Sequence, residues 1–114
     1  KMKFSKELVK GSTAMLVMSV LSSGDKYGYQ IIKELEALSE AAFTMNEGTL
    51  YPILHALERE KYLESYWEET ASARKRRYYR LTDRGRRALA GKKEEWRAYS
   101  KAVEQVLRGG AQYA

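Results

Sequence analysis

The densest chemistry in this 114-residue sequence is cationic. The segment Ser72 to Arg87, SARKRRYYRLTDRGRR, carries eight cations (Arg74, Lys75, Arg76, Arg77, Arg80, Arg84, Arg86 and Arg87) against one anion, Asp83. Over the whole chain 21 Lys and Arg face 15 Asp and Glu, a net charge of +6, so the rest of the chain is close to neutral and the excess is confined to this stretch. Clustered Lys and Arg suit a polyanion, because each phosphate they neutralise releases condensed counterions. Catalysis is poorly served by comparison. There is no cysteine and one histidine, His55, which leaves no thiolate nucleophile and no second imidazole or thiol to complete a metal site. The carboxylate pairs Glu68/Glu69 and Glu94/Glu95 are neighbours in sequence, and neighbours point apart on a strand or a helix. Binding is the expected business of this chain, with no enzyme activity, metal or cofactor.

The elements that must hold those cations can be read from hydrophobic spacing. No repeat, low-complexity tract or linker divides the chain. The longest near-continuous apolar stretch, Ala14 to Leu21, falls far short of the roughly 20 residues that cross a bilayer. With no secretory signal evident at the start, a cytoplasmic protein without membrane contact is expected. Ser5 to Leu21 reads as one helix, mixed in its first half and apolar nearly all round in its second, a pattern that requires cover on two sides. Tyr27, Ile31, Leu35 and Leu38 make an amphipathic stripe over Tyr27 to Leu38. Asn46 to Lys61 reads as a third helix with Asn46 as its N-cap and Leu50, Leu54 and Leu57 as its buried stripe. Pro52 conflicts with that start, lying six positions in, where its ring crowds the Gly48 carbonyl; an early start is still favoured because Gly48 eases the distortion.

Tyr62 to Glu69 and Arg76 to Leu81 flank a polar loop and read as a β-hairpin with its cations at the tip and on the return strand. Thr82 to Arg108 closes the chain as a long helix, capped by Thr82 and stopped by Gly109 and Gly110. Its apolar residues Leu89, Trp96, Tyr99, Val103 and Val106 form a coiled-coil-like seam. At about 40 Å the helix outruns the small core it belongs to, so the seam is expected to meet a second copy, together with Leu8 and Met15 of the two-sided first helix.

Helix, helix, short connection, helix and basic hairpin is the order of a winged helix-turn-helix, an α+β and mostly α fold. Residues 1–81 would form the DNA-binding part and 82–114 the dimerisation helix of one structural unit. In such a fold the third helix enters the major groove and the hairpin reaches the adjacent backbone or minor groove. The side of the third helix away from its leucines holds Thr49, Tyr51, Pro52, His55 and Arg59, the candidates for base contact. Arg74, Lys75, Arg76 and Arg77 are candidates for phosphate contact, as are Lys26 and Tyr29 at the second helix.

The strings YGYQIIKEL (Tyr27 to Leu35), GTLYPILHALE (Gly48 to Glu58) and RRYYRLTDRG (Arg76 to Gly85) resemble the PadR family of bacterial transcriptional regulators. The single long last helix is similar to the smaller subfamily. The resemblance implies a homodimeric repressor, joined through its first and last helices, that leaves an inverted-repeat operator when a small molecule or stress signal arrives. It also implies a role for Trp96 beyond burying area: in some small members a tryptophan of the last helix stacks on flat aromatic ligands across the dimer. With Glu94 and Glu95 beside it, Trp96 suggests a cationic aromatic effector. The alternative is a winged-helix module that binds nucleic acid without an effector, or binds another protein.

Overall fold

The structure, a computed structural model, describes the backbone of residues 2–113 and the side-chain surroundings of residues 2–110. The expected first helix is two helices, α1 (Lys6–Lys10) and α2 (Thr13–Leu21). The break has a local cause. Ser12 Oγ donates to the Val9 carbonyl at 3.1 Å and Thr13 Oγ1 to the Lys10 carbonyl at 3.2 Å, so hydroxyls take the acceptors that helical amides would use. Ser5 caps α1 through a 3.3 Å bond from the Leu8 amide, and α1 buries nothing. By contrast α2 is central. Val17, Met18, Val20 and Leu21 are buried against α3, α5, α4 and the sheet, so the cover its two apolar sides required comes from within the protomer. Leu8, exposed, and Met15, half-buried, are the two first-helix residues assigned to a second copy, and neither belongs to that buried set.

β1 (Lys26–Tyr27) leads into α3 (Gly28–Leu38), where the Gln30 side chain accepts from the Tyr27 amide at 3.2 Å. Ile31 and Leu35 are buried as expected; Leu38 is 70% exposed and Tyr27 lies half-buried in the sheet, so the stripe is shorter than its spacing suggested. The chain reverses just beyond Leu38 through left-handed Glu40 and Ala41, which puts this last turn past the edge of the core.

α4 (Glu47–Arg59) starts early, as expected, with Asn46 Oδ1 accepting from the Thr49 amide at 2.9 Å. Pro52 sits inside it, exposed, while Leu50, Leu54 and Leu57 enter the core. The helix tolerates the missing amide because the burial of those leucines outweighs one lost backbone bond.

β2 (Leu63–Glu69) and β3 (Lys75–Leu81) form the hairpin, and β1 adds to β3 to give the antiparallel order β1-β3-β2. The added strand escapes sequence reading because two residues cannot show alternation. Pleating divides the hairpin. Leu63, Ser65 and Trp67 share a face with Arg77, Tyr79 and Leu81 toward α4, and Glu64, Tyr66 and Glu68 share the other with Arg76, Tyr78 and Arg80.

α5 (Asp83–Tyr113) begins at Thr82, whose Oγ1 accepts from the Gly85 amide at 2.9 Å and donates to the Lys61 carbonyl at 2.7 Å. It does not stop at Gly109 and Gly110: neither takes a positive φ, and no turn-forming residue follows to draw the backbone out of the helix. Leu89, expected in the dimer seam, is 4% exposed in the protomer's own core, because the first turns of α5 pack on α2. Beyond it α5 runs beside α1 as far as Tyr99, and residues 101–108 are exposed. The molecule measures 64 × 32 × 21 Å, with a radius of gyration of 16.7 Å against about 13 Å for a compact chain of this length.

Candidate nucleic-acid interface

Between α4 and the hairpin lies a groove of about 630 Å³ lined by Tyr27, Tyr29, Glu47, Tyr51, His55, Trp67, Arg74, Lys75, Arg76, Arg77 and Tyr79. It brings together Tyr29, Tyr51, His55 and the four hairpin cations named from the sequence, Arg74 to Arg77. Thr49, Pro52 and Arg59 are exposed on α4 but do not line it.

Each groove residue is held by its element. Tyr51 leans on α3 so closely that a Cβ on Gly28 would lie 2.6 Å from its hydroxyl, which fixes the ring half-buried at the base of the groove. His55, one turn on and exposed, has its ring centre 6.2 Å from that of Tyr51. Arg76 lies with its guanidinium carbon 4.4 Å from the centre of the Tyr27 ring, a cation–π contact that orients its charge along the groove wall. Tyr27 also meets the edge of Tyr78 at 5.5 Å, and Tyr78 stacks on Tyr66 at 5.8 Å, so the outer face of the sheet is an aromatic pile with an arginine at its top. Arg74 and Lys75, at the hairpin tip, are exposed and form no ion pair with a described residue.

The rest of the basic segment is less free than its composition suggests. Arg77 turns inward to Glu58 and Ser65 on α4 and β2. Arg80 bridges Asp25 at 3.2 Å and Glu64 at 3.1 Å, and those two carboxylates push its pKa upward. Tyr66 donates to the same Asp25 at 2.7 Å, and the bond holds its phenol above the usual value. Arg84 Nε and Arg86 donate to the Glu60 and Ser22 carbonyls. Lys26 is likewise occupied. Its Nζ reaches the Val20 and Gly24 carbonyls at 3.1 and 3.2 Å, Ser23 Oγ at 2.8 Å and Glu34 at 3.4 Å, with the side chain only 13% exposed, so it closes the end of α2 instead of presenting a free charge. Sequence reasoning missed Trp67, 63% exposed on the groove wall, and Glu47 at its far side; alternation along β2 was the signal that could have placed Trp67. Tyr79, wholly buried beneath Arg77, has a hydroxyl that meets no hydrogen-bond partner among the described residues, and burial raises its pKa.

On the opposite end of the molecule, Trp96, Tyr99, Val103 and Val106 are exposed on α5, joined by Leu107, which the seam had not included. A second cavity of about 450 Å³ lies between α5 and the junction of α1 with α2, and brings Leu8, Met15, Trp96 and Tyr99 together with Glu7, Glu95 and Lys92. Among the described residues no group of His, Cys, Asp and Glu could hold a metal ion, and no helix is long and apolar enough to cross a membrane.

Comparison with known proteins agrees with this geometry. The family model of the transcriptional regulator PadR-like family matches residues 17–91, which span α2 to the first turns of α5. A transcriptional regulator of Mycobacterium tuberculosis is 31% identical over 91% of this chain and 91% of its own length. Among solved structures, a transcriptional regulator from Clostridium thermocellum superposes with a TM-score of 0.82 at 31% identity, covering 90% of this chain and 96% of that one. A PadR family transcriptional regulator from Eggerthella lenta gives 0.77 at 35% identity, covering 89% and 86%. With its winged helix and long last helix, the chain belongs to the PadR-like family of transcriptional regulators.

Proposed function

We propose that the protein works in the cytoplasm as a homodimeric repressor that reads an inverted-repeat operator. The observation that carries this reading is the single groove where the exposed side of α4 meets the hairpin tip. α4 enters the major groove with Thr49, Tyr51, Pro52, His55 and Arg59 toward the bases, while Arg74, Lys75 and Arg76 hold the phosphates alongside. Tyr29 lies near enough to that track to join it. Dimerisation is supported by the apolar residues left uncovered on α5, whose burial against a second copy would remove a patch no stable monomer of this size need expose.

Selection from a pool of random duplexes tests the reading. The account expects an enriched inverted repeat with half-site centres about 10 base pairs, or a multiple, apart. Equal affinity for selected and scrambled duplexes would leave an effector-independent nucleic-acid binder. A stable monomer at micromolar concentration would favour a protein-interaction module.

Release of the operator by a ligand rests on the cavity beside Trp96. An indole wall with Glu7 and Glu95 around it, against the single cation Lys92, suits a flat aromatic cation, which would stack on the ring and balance the excess carboxylate. Quenching of Trp96 emission by such a compound in a Trp67→Phe background, with a matching loss of operator binding, is the expected result. Quenching without any effect on DNA affinity would refute the effector role.

A further inference from the structure

We propose that Glu58 is a positioning residue for DNA reading: it locks the hairpin to α4 and keeps the charge of Arg77 away from the DNA backbone. The proposal rests on the reading of α4 and the hairpin as a joint DNA grip.

Three residues from three elements close a ring midway along the hairpin. Ser65 Oγ on β2 donates to Glu58 Oε2 on α4 at 2.6 Å. Arg77 on β3 donates through Nε to Ser65 Oγ at 2.9 Å and through a terminal nitrogen to Glu58 Oε2 at 3.2 Å. The guanidinium also lies 5.9 Å from the Trp67 ring centre and 5.7 Å from that of Tyr79. Glu58 follows Leu57, whose side chain is in the core, so the anchor is fixed to a rigid part of α4. On the opposite face of the hairpin, Asp25 ties Tyr66 and Arg80 to the turn before β1. The hairpin is therefore pinned from both sides below its tip.

That placement makes the ring a hinge pin. From Ser65 to Glu69, which pairs with Lys75, the strand covers about 13 Å, so a tilt of about 10° at the ring displaces the tip cations by about 2 Å, most of the length of a hydrogen bond. Arg77 also faces the groove wall, and without the carboxylate it becomes one more mobile cation beside the DNA. Loss of Glu58 should then do two things of opposite sign: weaken discrimination and strengthen attraction to any duplex.

The experiment compares wild type, Glu58→Ala, Glu58→Gln, Arg77→Ala and the double variant Glu58→Ala/Arg77→Ala by anisotropy titration. Each is titrated with a selected and a scrambled duplex over a salt series, with thermal melting as the check on folding. For Glu58→Ala the salt slope should steepen by about 0.9, one extra phosphate contact, and the selected-to-scrambled ratio should fall about tenfold. Glu58→Gln, which keeps the acceptor oxygen and the volume, should retain most of the ratio while steepening the slope. The double variant should return to the wild-type slope with the ratio still low. A slope unchanged in Glu58→Ala and Glu58→Gln, or equal weakening on both duplexes, would reduce Glu58 to a structural residue and overturn the proposal. A wild-type ratio near one is a different failure, that of the DNA-reading account itself, and takes the proposal with it.

Discussion

Replacing Arg74 and Lys75 together with Ala separates the cations that meet DNA from those that hold the fold. Both are exposed at the hairpin tip and neither forms an ion pair with a described residue, so their removal leaves no buried partner unsatisfied and should not alter the melting temperature. Each lost phosphate contact lowers the slope of log affinity against log salt by about 0.9, and two lower it by about 1.8. Between 1 M and 0.1 M salt that difference amounts to about 60-fold in affinity, largest at low salt and vanishing toward 1 M. The loss should be the same for every duplex, because phosphate contacts carry no direct sequence information. Anisotropy titration of a labelled duplex across a salt series reads slope and ranking at once. Arg77→Ala is the internal contrast: its guanidinium sits 3.2 Å from Glu58, so it should leave the slope nearly unchanged and lower stability instead. An unchanged slope in the tip variant, or a reordered ranking of duplexes, would refute the assignment of these two residues to the backbone.

Tyr79→Phe should raise stability by about 1 kcal/mol, since it removes a buried hydroxyl that finds no partner among the described residues; chemical denaturation measures it. Burial holds the Tyr79 pKa above its unfolded value, so stability is level below about pH 10 and falls as pH rises from there through the folded value; Tyr79→Phe should flatten that alkaline loss. Gly85→Ala should destabilise by about 1–3 kcal/mol or more in a thermal melt, because its Cβ would collide with the Tyr62 carbonyl and lie 2.7 Å from Leu81 Cδ1 at the start of α5. Val103→Glu with Val106→Glu should raise the dimer dissociation constant at least about 100-fold in sedimentation, since two carboxylates would have to be buried in the proposed seam.

Much of this could be read from spacing alone because the relevant signals are local. Asn46 before Leu50, Leu54 and Leu57 marks a helix start and its buried face, and both stand in the structure despite Pro52. The hairpin followed from two aromatic strands around a polar loop. What stayed hidden depended on contacts between distant residues. Nothing in Lys26 as a residue tells that three carbonyl and hydroxyl oxygens and Glu34 surround its amine, nor in Arg77 that its partner lies on another helix. Leu89 fits the heptad spacing of the seam and yet faces the protomer's own α2, because periodicity gives the face of a helix but not what covers it. The break at Gly11 and Ser12 turned on two hydroxyls competing for helix carbonyls, a choice that composition leaves open.

The central claim is that two copies present their α4 helices to one duplex at the spacing of a helical turn. Because the chain has no cysteine, a Thr49→Cys variant takes a single spin label at the start of α4 in each copy. Pulsed dipolar spectroscopy on the labelled protein should give one distance distribution centred, within the label's length, on about 34 Å or a whole multiple of it. Absence of a dipolar signal at micromolar protein, or a distance that no single face of a duplex could span, would contradict the account.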